Sequence, residues 1–202
     1  MKKSKQVILV SGLLFTMLLA GCSKVPQEEI DKANAAIEAA KTAGAETYNA
    51  ESFAALNDSM KVVMENIEAG KSKFLKSYGD SKEKLAAITA TANEVEAETV
   101  KIIDSLKAQI QATIAEVNTL LEENRQLISE APRGKEGTSA LNAIRNEISM
   151  IETSVAEATA MFENADYQGA NDRTMASKEK AVAINAELKE VIAKYKAAVK
   201  AR

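Results

Sequence analysis

Apolar and small residues recur three and four positions apart along most of this chain, which is the period of a helix and not of a strand. Phe53, Leu56, Met60, Val63, Ile67, Gly70 and Phe74 form one such stripe, and Leu141, Ile144, Ile148, Ile151, Val155, Ala158 and Phe162 form another. A stripe of smaller residues at 30, 33, 37, 40 and 44 precedes them, and Ile184, Leu188, Val191, Tyr195 and Val199 make a later one. The longest runs from Leu85 through Ile88, Val95, Ile102, Leu106, Ile110, Ile114, Val117 and Leu121 to Ile128, with Ala92 and the polar Thr99 and Asn124 on its line. Its mean step is roughly 3.6 residues, so no supercoil is demanded.

Turn signals separate the stripes. Pro26 before Gln27, Glu28 and Glu29 is a helix start, since proline suits the first turn and acids suit the positive end of the helix dipole. Gly44 and Asn49 break the chain in "AGAETYNAES", Gly79 ends a helix in "YGDSKEKL", and "APRGKEGTS" is the clearest loop, with Thr138 as the next cap. "NADYQGAND" makes the last break. The spacing thus predicts five helices, over about 27–43, 50–78, 81–131, 138–165 and 170–201. The expected fold class is all-α, an antiparallel helical bundle or elongated coiled-coil-like helical hairpins, with residues 28–202 as a single domain.

Composition agrees with helices. The chain has 202 residues, of which 46% are hydrophobic with alanine prominent, 27% are charged and 4% are aromatic, and it has two prolines and no tryptophan. Small aliphatic side chains favour helix, and a sheet-rich fold is poorly served by them. Six aromatic residues fall in pairs beside turns: Tyr48 and Phe53, Phe74 and Tyr78, Phe162 and Tyr167. The turns "AGAETYNAESF", "KSKFLKSYGDS" and "AMFENADYQGA" share a plan, which suggests a repeated helical hairpin with rings plugging its corners. The other reading of these rings is an interface.

The front of the chain follows a different pattern. Lys2, Lys3 and Lys5 precede Val7 to Leu19, thirteen residues without charge, ending in Leu19-Ala20-Gly21-Cys22. Thirteen residues at ~1.5 Å each fall short of a ~30 Å hydrocarbon core, so residues 1–21 read as a signal peptide and not a spanning helix. The Leu-Ala-Gly-Cys end resembles the lipobox of bacterial lipoproteins. That resemblance implies cleavage between Gly21 and Cys22, diacylglycerol on the Cys22 thiol and an acyl chain such as palmitate on its new amino group. Residues 22–27 then form a lipidated tether, and several acyl chains hold the protein stably on a membrane. Cys22 is the only cysteine, as suits an exported chain in which a second free thiol would invite a disulfide. In such lipoproteins an Asp after the Cys favours inner-membrane retention; Ser23 here implies the outer membrane, facing the periplasm.

Residues 26 to about 90 also resemble an alanine-rich family of bacterial helical lipoproteins with a domain of unknown function. The likeness rests on Pro26, Ile30, Ala33, Ile37, Ala40, Gly44-Ala45, Tyr48, Phe53 and Leu56, with "ADYQGA" near 167 similar to its second hairpin turn. Asn49-Ala50 stands where that family has Ala-Pro, and Asn57 where it has alanine. The resemblance implies an envelope location and no known enzymatic activity, and it supplies no catalytic residue.

Chemistry is sparse. The formal charge is −3, and without the leader's three lysines the remainder carries 23 basic and 29 acidic side chains, or −6, which argues against nucleic acid as a partner. With no histidine there is no imidazole acid, base or metal ligand, and no Gly-rich phosphate loop occurs. Glu94, Glu96 and Glu98 read as a solvated face, and Glu122 and Glu123 beside Asn124 and Arg125 as local ion pairs without the ligand alternation of a calcium loop. No catalytic residue, metal or cofactor is expected. Thr99, Thr113 and Asn124 on the core line either fix register between helices or face a docking groove.

The expectation is a non-enzymatic, membrane-anchored scaffold, spacer or accessory subunit of the cell envelope, bound to the membrane by lipid on Cys22 and to an unidentified envelope protein. Homo-oligomerisation stays open, because the stripes serve pairing within or between chains. Two alternatives are a periplasmic binder of a lipid or apolar ligand lined by Met60, Met64, Ile67 and Phe74, and a non-covalent cell-wall tether.

Overall fold

The computed structural model describes residues 24–72, 77–133 and 135–201. Among them the protein is all-helical, with helices that pack on one another as a bundle. The elements are α1 (Gln27–Thr42), α2 (Ala45–Tyr48), α3 (Ala50–Lys71), α4 (Gly79–Glu130), α5 (Lys135–Glu163) and α6 (Tyr167–Lys200). Where the stripes suggested one domain over 28–202, packing divides the chain into two compact units, 1–102 and 103–202, with α4 contributing its first part to one and its second part to the other.

In the first unit, α1, α3 and the start of α4 bury Ile30, Ala33, Ala40, Phe53, Leu56, Val63, Ile67, Leu85, Ile88 and Val95 in one cluster. Long-range contacts fix the directions. Glu29 meets Lys82 at 2.8 Å, and Asn49 Nδ2 donates to Glu98 at 3.3 Å. The start of α1 therefore lies beside the start of α4, and the start of α3 beside residue 98, an up-down-up arrangement. Tyr78 folds its ring over Gly70, where a Cβ would come within 3.0 Å of Cε1, so glycine makes room for the ring.

The second unit has the same plan. Val117, Leu121 and Ile128 of α4, Leu141, Ile144, Ile148, Ile151 and Val155 of α5, and Ala181, Ile184, Leu188 and Ile192 of α6 share its core. Lys178 reaches Glu116 at 2.8 Å and Lys196 reaches Glu130 at 3.6 Å, so α6 runs parallel to α4. Arg125 pairs with Glu152, and Arg173 with Glu157, so α5 runs against both.

The two hairpins α1–α3 and α5–α6 share a turn device. The first helix of each ends with one left-handed residue, Gly44 at φ 95° and Ala165 at φ 62°. Gly44 N donates to the Lys41 carbonyl, Ala165 N to that of Phe162, and Asp166 N to that of Met161; the last two together make a Schellman closure. The buried seams of the second helices keep the same separation: Phe53, Leu56, Met60, Val63 and Ile67 correspond in spacing to Thr174, Ser177, Ala181, Ile184 and Leu188. The third turn of the expected repeat, with Phe74, falls partly outside the described residues.

Several boundaries move. The stripe over 50–78 ends as helix at Lys71, and Gly79 opens α4 where it was expected to close the previous helix. Residues 45–48, expected as turn, form a short helix. α5 starts at Lys135, which places Thr138 inside the first turn instead of at the cap, and α6 starts at Tyr167, where Asp166 accepts from Gly169 N at 3.0 Å. On α6 the core takes Ile192 in place of Val191, which is exposed along with Tyr195 and Val199. For Tyr195 and Val199 the reason is that α4 stops at Glu130, level with Lys196, and every described residue of α6 from Ala193 on is exposed.

Candidate functional site

The residues expected to carry the anchor, Gly21 and Cys22, lie outside the described residues. The structure does define where the body begins. Lys24 is exposed, Val25 packs partly buried on the first core, Pro26 is buried, and Gln27 N donates to the Val25 carbonyl at 2.8 Å. The expected tether of 22–27 is therefore shortened, because Val25 and Pro26 belong to the packed body. No described helix is long and apolar enough to cross a membrane.

The polar residues on the core line of α4 divide into two kinds. Thr99 and Thr113 are buried, but each hydroxyl donates to its own helix, to the Val95 carbonyl at 2.6 Å and the Gln109 carbonyl at 2.8 Å. They need no partner on another helix and fix no register. Asn124 is different: its Nδ2 donates to the Ala181 carbonyl at 2.9 Å, and its Oδ1 accepts from Asn185 Nδ2 at 2.8 Å. Asn185 also donates to Glu123 at 3.3 Å. A buried amide pair of this kind sets which turn of α6 faces which turn of α4, since any slip strands polar groups in an apolar core. Asn185 escaped the sequence reading, although it stands on the buried seam beside Ile184.

The aromatic residues pack at corners. Phe162 and Tyr167 meet edge to face with centroids 5.4 Å apart across the α5–α6 turn, and the Lys107 ammonium lies 5.0 Å from the centre of the Tyr167 ring. Phe53 and Tyr78 are buried in the first core. Tyr78 also buries its hydroxyl without a hydrogen-bond partner.

Of the residues named for an apolar ligand, the three described ones do not share one surface. Met60 and Ile67 are consumed by the first core, Met64 is exposed, and Phe74 lies outside the described residues. The concavities lie elsewhere: a groove of about 790 Å³ between α3 and α4, with Leu56, Val63, Ile88 and Val95 in its floor and Asp58, Lys84, Glu94 and Glu98 on its rim. A second of about 720 Å³ runs between α5 and α6, with the exposed Met150 at its edge. A third, of about 360 Å³, opens between α4 and α5.

Ionisable groups behave as a helix surface. Glu122 and Glu123 are spoken for by Arg125 at 3.1 Å and by Lys189 at 3.9 Å, and no group of three acids, cysteines or histidines among the described residues could hold a metal ion. Glu29 is held below the ordinary carboxylate value chiefly by its hydrogen bond from Lys82, and Glu190 likewise by Lys194. Lys32 and Lys71 are raised by their bonds to Glu28 and Glu68. All four belong to surface pairs, Glu29 being the one partly buried member, of the kind that contributes little to stability.

Arranged this way, the described part of the chain defines a class, an all-helical bundle protein folded as two compact units. Comparison with known proteins finds no matching family model, no matching curated protein and no matching solved structure.

Proposed function

We propose that this protein is a membrane-anchored, non-enzymatic lipoprotein of the bacterial cell envelope that serves as a scaffold, spacer or accessory subunit. The observation that carries the reading is the sequence Leu19-Ala20-Gly21-Cys22 after an uncharged run, followed within three residues by packed chain at Val25. Three extended residues reach about 10 Å, so a lipid on Cys22 holds the first bundle against the membrane surface. The helices then offer polar faces, laced with exposed ion pairs, to a neighbouring envelope protein.

The test has two parts. In cells fed labelled palmitate, the wild-type chain takes up label and Cys22→Ala does not. Photo-crosslinking probes on exposed faces of α4 and α6 then yield a discrete protein adduct in intact cells that disappears in Cys22→Ala. Failure of labelling removes the anchor, and labelling with adducts to lipid or wall fragments alone removes the scaffold role and favours the ligand-binding or tether alternatives.

A further inference from the structure

The chain has five arginines against 21 lysines, and three of the five, Arg125, Arg133 and Arg145, line the pocket of about 360 Å³ between α4 and α5. Three of the five thus gather where α4 and α5 meet. The two facing helices supply the same pattern, Arg125-x-x-Ile128-Ser129 and Arg145-x-x-Ile148-Ser149. At steps of three and four these residues share one side of each helix. Ile128 and Ile148 are buried and form the apolar floor, while the arginines and serines stay at the rim.

The three guanidinium groups are not equally occupied. Arg125 is bound by Glu122 and by Glu152, which also lines the pocket. Arg145 gives one Nη1 bond to Asn142 Oδ1 at 2.8 Å, which leaves its charge without a carboxylate, and Arg133 has no ion pair among the described residues. Ser129 Oγ already donates to the Gln126 carbonyl at 2.7 Å, so the charged donors left for a ligand are the arginines, with the Ser149 hydroxyl beside them. Two uncompensated planar forks over an apolar floor suit a tetrahedral phosphate oxyanion, because guanidinium binds phosphate through paired N–H donors.

We propose that this pocket is a binding site for a phosphate-bearing ligand, held by Arg133 and Arg145 and bordered by the Arg125–Glu152 pair. The ligand is either a free phosphate ester or the headgroup of an anionic phospholipid. The site lies within the second unit and does not depend on the chain being lipidated.

Titration of the full chain at low ionic strength with inorganic phosphate, glycerol phosphate and dihexanoylphosphatidylglycerol, followed by calorimetry, tests it. Saturable binding of at least one probe is expected, weakened at least tenfold in Arg133→Gln/Arg145→Gln and changed less than twofold in Lys194→Gln/Lys200→Gln, which removes equal charge elsewhere. Arg133→Lys keeps the charge, loses the fork and is expected to fall between. Binding of the first two probes identifies the phosphate group itself as the ligand; binding of the third alone identifies a lipid headgroup. No saturable binding to the wild-type chain, or equal weakening by the lysine pair, overturns the proposal.

Discussion

Replacing Asn124 probes how α4 and α6 hold their register. The Asn124 amide is fully buried, donates to the Ala181 carbonyl at 2.9 Å and accepts from Asn185 at 2.8 Å. Asn124→Ala removes both bonds, worth about 1 kcal/mol each net, and leaves an amide-sized gap that adds about another 1 kcal/mol. Asn185 keeps its contact to Glu123 at 3.3 Å, which limits the cost of stranding its amide. The expected loss is about 2–4 kcal/mol of unfolding free energy. Urea unfolding followed by circular dichroism measures it, with an unchanged m-value showing that the native fold persists. A double-mutant cycle with Asn185→Ala isolates the shared bond: the double variant should lose about 1 kcal/mol less than the sum of the singles. A loss below about 0.5 kcal/mol for Asn124→Ala, or additivity within about 0.3 kcal/mol, would refute the register argument.

Three further outcomes follow from the packing. Ala165→Gly should stabilise the chain by about 0.5–1 kcal/mol, because a left-handed φ of 62° strains alanine and not glycine; a lower melting temperature would contradict the turn geometry. Leu188→Ala should cost about 2–5 kcal/mol and Tyr195→Ala less than about 0.5 kcal/mol, since the first is 1% exposed and the second 50%; equal losses in urea unfolding would show that Tyr195 is covered. The Glu29–Lys82 pair should matter only above acid pH. Glu29's folded pKa lies below its ordinary value of 4.5, so its contribution is present above that value and fades as pH falls through the folded one. Lys82→Met should therefore lower the melting temperature slightly at pH 7 and not at pH 2, and a gap that persists in acid would point to lost packing instead.

The three-and-four spacing of apolar residues determined by itself that the chain is helical, and where most helices run, because a helix must bury one stripe whatever it packs against. Turn residues with special backbone needs, Pro26 and Gly44 above all, were equally legible. Choices between equivalent spacings were not. From Leu188 the next core residue could be Val191 or Ile192, three or four away, and only the position of α4 selects Ile192. Thr99, Thr113 and Asn124 looked alike on the core line, yet a threonine hydroxyl can reach its own helix carbonyl while a buried asparagine amide must find its donors and acceptors across the interface. The three arginines of the α4–α5 pocket, on two successive helices and the loop between them, converge because an antiparallel pair brings residue 125 beside 152 and lines one pocket with 128 and 148. Helix identity is a property of neighbours along the chain; register, partnership and the split into two units depend on which faces meet, and that is decided in three dimensions.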